Sequence, residues 1–99
     1  MVKESQFSSL SNLVAVVTGG SRGIGFGIAK RLAAMGASVV ITARQNATAA
    51  RIAGELAASG AAVTGFACDV ISLSEVQALA GQIETKFGRL DILVNNAGI

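Results

Sequence analysis

Ninety-nine residues form at most one small domain, and 52% hydrophobic against 14% charged residues excludes disorder, which needs the opposite balance. There is no histidine, tyrosine, tryptophan or proline and only one cysteine, Cys68, which excludes imidazole catalysis, a histidine-ligated metal, a phenolic proton donor and an internal disulfide within these residues. The net charge of +2 is unevenly laid out: between Ser5 and Gly54 stand Arg22, Lys30, Arg31, Arg44 and Arg51 and no acid, so an anionic partner is expected there.

Phe26 is the single aromatic among those bases, too few for a stacking surface, so a phosphorylated small molecule is expected and nucleic acid is not. No run reaches the roughly 18 apolar residues of a membrane span. Leu13–Val17 is too short for the core of a signal peptide. With the lone thiol, this gives the expectation of a cytoplasmic protein with no membrane partner.

In chain order, residues 1–12 are mostly polar and read as a loose arm, and residues 13–99 read as one folded unit. Leu13–Thr18 is a β-branched apolar run and the first predicted strand. Thr18-Gly19-Gly20-Ser21-Arg22-Gly23-Ile24-Gly25 follows it directly and opens a helix predicted over Arg22–Met35. Ile24, Gly27, Ile28, Leu32 and Met35 are its expected buried stripe, and Gly36 its cap. Helix N-termini hold phosphate through unpaired N–H groups and the positive dipole end, and glycines let the backbone approach an anion closely. The first turn of this helix carries no acid, as expected where a ligand phosphate belongs. The alternative is a glycine-rich turn with close helix–strand packing. The pattern is not a P-loop, since Phe26 follows Gly25, and it misses G-x-G-x-x-G because Ile28 holds the third glycine's place.

Ser38–Ala43 is the second predicted strand, and Arg44 is the first residue beyond it. An acid about 20 residues past the glycines would hold the ribose 2′-hydroxyl of NAD. Arg44 stands 19 residues after Gly25 instead, and a guanidinium there suits the 2′-phosphate of NADP. The second helix is predicted over Ala47–Ser59, ended by Gly60, and the third strand over Ala62–Ala67. Asp69-Val70 follows: the carboxylate either accepts from an exocyclic amine such as adenine's, with Val70 on the ring, or caps the turn into the third helix. Cys68 reads as a small buried residue with nothing nearby to lower its pKa. The third helix opens at a capping box, Ser72-Leu73-Ser74-Glu75, and ends at Gly88. Gly54 and Gly81 interrupt the second and third helices, and close packing is the expected reason. The fourth strand is predicted over Asp91–Asn95, and Asn95-Asn96-Ala97-Gly98 ends the chain's motifs. Its two amides either fix neighbouring loops or form an ordinary polar turn.

Strands alternating with helices imply βαβ units and a parallel α/β sheet. All four motifs then lie at the C-terminal ends of strands, where open α/β sheets bind ligands.

With these residues in view, the chain resembles the short-chain dehydrogenase/reductase family, in its TGxxxGxG form. Thr18-Gly19…Gly23-Ile24-Gly25, Asp69-Val70 and Asn95-Asn96-Ala97-Gly98 match in family order and spacing over residues 11–99. The resemblance implies a Rossmann-type open parallel sheet with flanking helices, in strand order 3-2-1-4. It implies that Gly19, Ser21, Arg22, Gly23, Ile24 and Gly25 cradle a pyrophosphate, that Asp69 and Val70 flank adenine, and that Asn95, Ala97 and Gly98 lie along the adenosine ribose. Arg22 and Arg44 resemble the NADP-preferring subset. The implied activity is hydride transfer between NADP(H) and a small carbonyl or alcohol, in an enzyme expected to be a homo-oligomer. Family members are commonly about two and a half times this length, and their catalytic Asn, Ser and Tyr-x-x-x-Lys lie beyond the region matched here. The expectation is therefore an N-terminal cofactor-binding portion with no catalytic residue of its own. The rival readings are a portion of a 3-oxoacyl-carrier-protein reductase in particular and a non-catalytic dinucleotide-binding module.

Overall fold

The computed structural model describes residues 10–19, 23–58 and 60–96. The expected arm lies outside the described residues as far as residue 9. Its last part is not loose: the Leu10 N–H donates to the Met35 carbonyl at 3.2 Å, and the Leu10 side chain packs on the core.

Four strands and three helices alternate, with boundaries within one or two residues of those the sequence predicts. They are β1 (Val14–Thr18), α1 (Gly23–Ala34), β2 (Ser38–Ala43), α2 (Asn46–Ala57), β3 (Val63–Ala67), α3 (Leu73–Phe87) and β4 (Ile92–Asn95). All pairings are parallel, in the order β3-β2-β1-β4, with Val16 opposite both Val40 and Leu93. This is the Rossmann-type sheet expected. The chain steps outward from β1 to β2 to β3, then returns across the sheet to β4 on the other side of β1. Parallel crossovers are right-handed, so reversing the direction of travel moves the crossover helix to the other face. Accordingly α1 and α2 cover one face and α3 the other.

Successive strand residues alternate between those faces. Ala15, Val17, Val39 and Ile41 meet Ala29 of α1 and Ala49, Ile52, Ala53 and Leu56 of α2. Val14, Val16 and Val40 meet Leu79 and Ile83 of α3, with Phe66 and Phe87 at the margin. Burial of a side chain such as Ile41 stabilises the fold by about 1.5–3 kcal/mol.

The contact stripe of α1 differs from the expected one. Gly25 and Ala29 are buried, with Phe26, Ile28, Leu32 and Ala33 packed beside them, whereas Ile24 is 71% exposed and Gly27 is exposed. The helix turns its smallest residues to the sheet because its first turn sits directly on the end of β1. Hydrophobicity alone ranks Ile24 above Gly25; proximity reverses the order. Gly54 and Gly81 also depart from expectation. Both are exposed, and an added Cβ would meet nothing within 4 Å, so close packing within the described residues is not their reason.

At the head of α3, Ser72 Oγ accepts from the Glu75 N–H as expected, but the Glu75 carboxylate returns to the Asp69 N–H at 3.1 Å rather than to Ser72. The Ser72 N–H is already engaged by the Asp69 carbonyl at 2.9 Å. Gly88 caps the other end of α3 in the left-handed conformation.

Candidate functional site

The site grows from the C-terminal end of β1. The chain leaves the strand at Thr18 and turns at Gly19, whose φ of +67° is left-handed. Gly23, with φ +63°, sets the start of α1. Both conformations favour glycine because an L side chain meets its own carbonyl there. Ser21 and Arg22, expected in this loop, lie outside the described residues.

Both neighbours of β1 grip the turn. From β2, buried Thr42 accepts the Gly19 N–H on its Oγ1 at 3.2 Å. From the end of β4, Asn96 Nδ2 donates to the Gly19 carbonyl at 3.4 Å. The Thr18 hydroxyl accepts from the Asn96 N–H at 3.0 Å and faces two acceptors, Asn95 Oδ1 at 3.0 Å and the Val94 carbonyl at 3.3 Å. Buried threonines in strands satisfy these amides without breaking the sheet ladder. Gly25 then closes on the same turn. A Cβ there would stand 2.5 Å from both the Gly19 carbonyl oxygen and Asn96 Nδ2, so only glycine lets α1 come this close. The backbone of α1 thus begins beside the sheet end with no acid in its first turn.

Of the two readings of the Asn95-Asn96 pair, loop fixing is the one observed. Ala97 and Gly98 lie outside the described residues. Ile24 has its side chain in solvent beside the turn.

Arg44 follows β2 directly and is exposed. Among the described residues it has no ion-pair or hydrogen-bond partner, whereas Arg51 pairs with Glu55 at 3.2 Å and Arg89 with Asp91 at 2.8 Å. Past β3, Asp69 Oδ1 accepts the Ile71 N–H at 3.2 Å, so this carboxylate does shape the turn into α3. Its other oxygen accepts from no donor among the described residues, and half-buried Val70 follows it. Cys68 is buried, and burial pushes its thiol pKa up, with the Glu75 and Asp69 carboxylates adding to the shift. The thiol stays neutral and packs as a small apolar group.

Gly19, Gly23, Ile24, Gly25, Arg44, Asp69, Val70 and Asn95 therefore all stand at the same end of the sheet. Two positions that sequence reasoning left out of the site join them. Asn96 was visible as half of an amide pair. Thr42 carried no signal, because a threonine inside a β-branched run reads as strand. A hollow of about 310 Å³ lined by Ala80, Ile83, Glu84, Gly88, Arg89 and Leu90 lies at the foot of α3, the opposite end of the sheet, away from every motif residue. Among the described residues no cluster of His, Cys, Asp and Glu could hold a metal ion, and no helix is long and apolar enough to cross a membrane.

This arrangement places the start of α1 with no acid in its first turn, a tight glycine turn, the Arg44 guanidinium and the Asp69 carboxylate at one end of the sheet. The family model for short chain dehydrogenases matches residues 13–99. The chain is 44% identical over 86 residues to the 3-oxoacyl-acyl-carrier-protein reductase of Escherichia coli K12, covering 87% of this chain and 34% of that protein. It is 42% identical over 90 residues to galactitol 2-dehydrogenase of Agrobacterium fabrum, covering 91% of this chain and 34% of that protein. The chain thus spans about a third of the length of these curated relatives. A metagenomic short-chain oxidoreductase solved in complex with NADP superposes with a TM-score of 0.86 at 45% identity, over 92% of this chain and 41% of the other.

Proposed function

The chain belongs to the short-chain dehydrogenase family, and from that premise we propose that residues 13–99 hold NADP(H) for an oxidoreductase that interconverts an alcohol and a carbonyl. The observation that carries this reading is the gripped turn: Gly25 presses on Gly19 where any side chain would collide, at the mouth of an acid-free helix, with Arg44, which has no partner among the described residues, at the end of the neighbouring strand. A dinucleotide fits these residues. The N–H groups at the start of α1, together with Ser21 and Ile24, receive the pyrophosphate. Arg44 and Arg22 receive the 2′-phosphate through charge-assisted hydrogen bonds. The unengaged Asp69 oxygen accepts from the adenine amine, and Val70 packs on the ring. Asn95, Ala97 and Gly98 line the ribose. When bound, the nicotinamide supplies the hydride. The chain's own work is to fix the position of that ring against a small carbonyl or alcohol held elsewhere.

No tyrosine or histidine is present among the 99 residues to move the accompanying proton. In this proposal the proton donor stands outside them. The two relatives are named for a 3-oxoacyl substrate and for galactitol. Their common reaction class, alcohol–carbonyl interconversion, is the level at which the proposal stands.

Titration of the chain with NADPH and NADH by fluorescence tests it. Saturable binding with NADPH the tighter ligand is expected, and no NADPH oxidation above a blank with a panel of ketones. Binding of neither dinucleotide by a chain shown to be folded by circular dichroism overturns the proposal. Turnover by these residues alone overturns the division of labour.

A further inference from the structure

We propose that Thr42 is a positioning residue for the dinucleotide site, acting through Gly19 and touching no part of the ligand; this rests on the dinucleotide reading above. Thr42 lies inside β2 at 1% exposure, on the α3 side of the sheet with Val40. Its Oγ1 holds the Gly19 N–H at 3.2 Å. The Gly19 carbonyl is held by Asn96 Nδ2 on the opposite side. Both polar groups of this glycine are therefore taken by neighbouring strands, and the Gly19 amide is not a donor to phosphate. Its task is geometric: it fixes the left-handed turn against which Gly25 and the mouth of α1 rest. In the dinucleotide reading the phosphate donors belong to the start of α1, which rests on this turn through Gly25. Thr42 also stands two residues before Arg44, so one strand end carries both the pin for the turn and the guanidinium expected at the 2′-phosphate.

The two positions should fail differently. Thr42→Val keeps the shape and the β-branch and removes the hydroxyl that accepts the Gly19 N–H. It should weaken NADPH and NADH by the same factor, about three- to tenfold, the size of one neutral hydrogen bond. The NADPH/NADH ratio stays fixed, because the 2′-phosphate end is untouched. Thr42→Ser restores the acceptor and should return both affinities to near wild type. Without ligand, hydrogen exchange at the Gly19 amide should be slow in wild type and in Thr42→Ser and fast in Thr42→Val.

The experiment titrates all three chains with both dinucleotides, with the folded fraction read by circular dichroism on the same samples, and follows Gly19 exchange by NMR. Equal affinities in Thr42→Val and wild type overturn the proposal, as does a loss confined to NADPH. Fast Gly19 exchange in the wild-type chain relative to β1 overturns it even if Thr42→Val does not fold. Wild-type chain that binds neither dinucleotide overturns the functional reading and this role with it, whereas binding that ignores Thr42 overturns this role alone.

Discussion

The two ends of β1 are held in similar ways and do different things. At its foot, the Val14 N–H donates to Asp91 Oδ2 at 2.8 Å, and Asp91 is gripped in turn by Arg89, Nε to Oδ2 and Nη2 to Oδ1, both at 2.8 Å. At its head, the N–H of Gly19 is held by Thr42, a buried neutral hydroxyl. The foot uses ionised groups at the surface, where water solvates whatever charge is left over. The head uses neutral groups packed out of water, where an unpaired charge would be costly. An ion pair at the head would also compete with an anionic ligand. The foot stitches the sheet with charge, and the head is left without an ion pair of its own among the described residues, as the proposed anionic ligand requires.

The largest expected effect that tests this contrast is at the head. Gly25→Ala puts a methyl against the Gly19 carbonyl and Asn96 Nδ2, both at 2.5 Å, so α1 must lift from the sheet. Overpacking of this kind costs about 1–3 kcal/mol, and the displaced turn should lose dinucleotide binding with it. Denaturant unfolding and NADPH titration measure the two losses. Unchanged binding would mean that the turn does not aim the site.

Arg44→Asp should be next, and selective. Losing a charge-assisted hydrogen bond, with a carboxylate now repelling the 2′-phosphate, should weaken NADPH by at least about tenfold. NADH should hold or improve, because a carboxylate there can accept the ribose 2′-hydroxyl. Stability should be unaltered, since exposed Arg44 has no partner among the described residues. Titrations at fixed ionic strength check it. Equal loss for both cofactors would remove Arg44 from the 2′-phosphate role.

The smallest effect belongs to the foot. Arg89, and after it the Val14 N–H, hold the Asp91 carboxyl below the ordinary aspartate value of 3.8. A depressed folded pKa gives stability that is present above the ordinary value and lost as pH falls through the folded one. Asp91→Asn should therefore flatten the acid limb of a melting-temperature profile below about pH 4 while leaving NADPH affinity at neutral pH unchanged. A matching loss of affinity would show that the two ends are coupled and would break the contrast.

The order of elements was legible in the sequence because each depends on local physics. β-branched runs separated by glycine- and Asx-rich turns give strands; Ser72 with Glu75 gives a helix start; Gly88 gives a helix end. The positions of the glycine loop, of Arg44, of Asp69 and of the asparagine pair followed, since each motif is a short contiguous stretch attached to a strand end. The acid-free stretch between Ser5 and Gly54 was likewise visible as composition alone.

Tertiary structure decided what depends on residues far apart in the chain. Whether Ile24 or Gly25 faces the sheet is set by how closely α1 can rest on Gly19, a steric fact that a hydrophobicity pattern does not contain. Glu75 passes over Ser72 and reaches Asp69 because the Ser72 amide was already bonded. Thr42 and Asn96 converge on Gly19 from chain positions 23 residues after it and 77 residues after it. Parallel pairing on both sides of β1 brings them together, and a hydrogen bond forms only where that register leaves donor and acceptor about 3 Å apart.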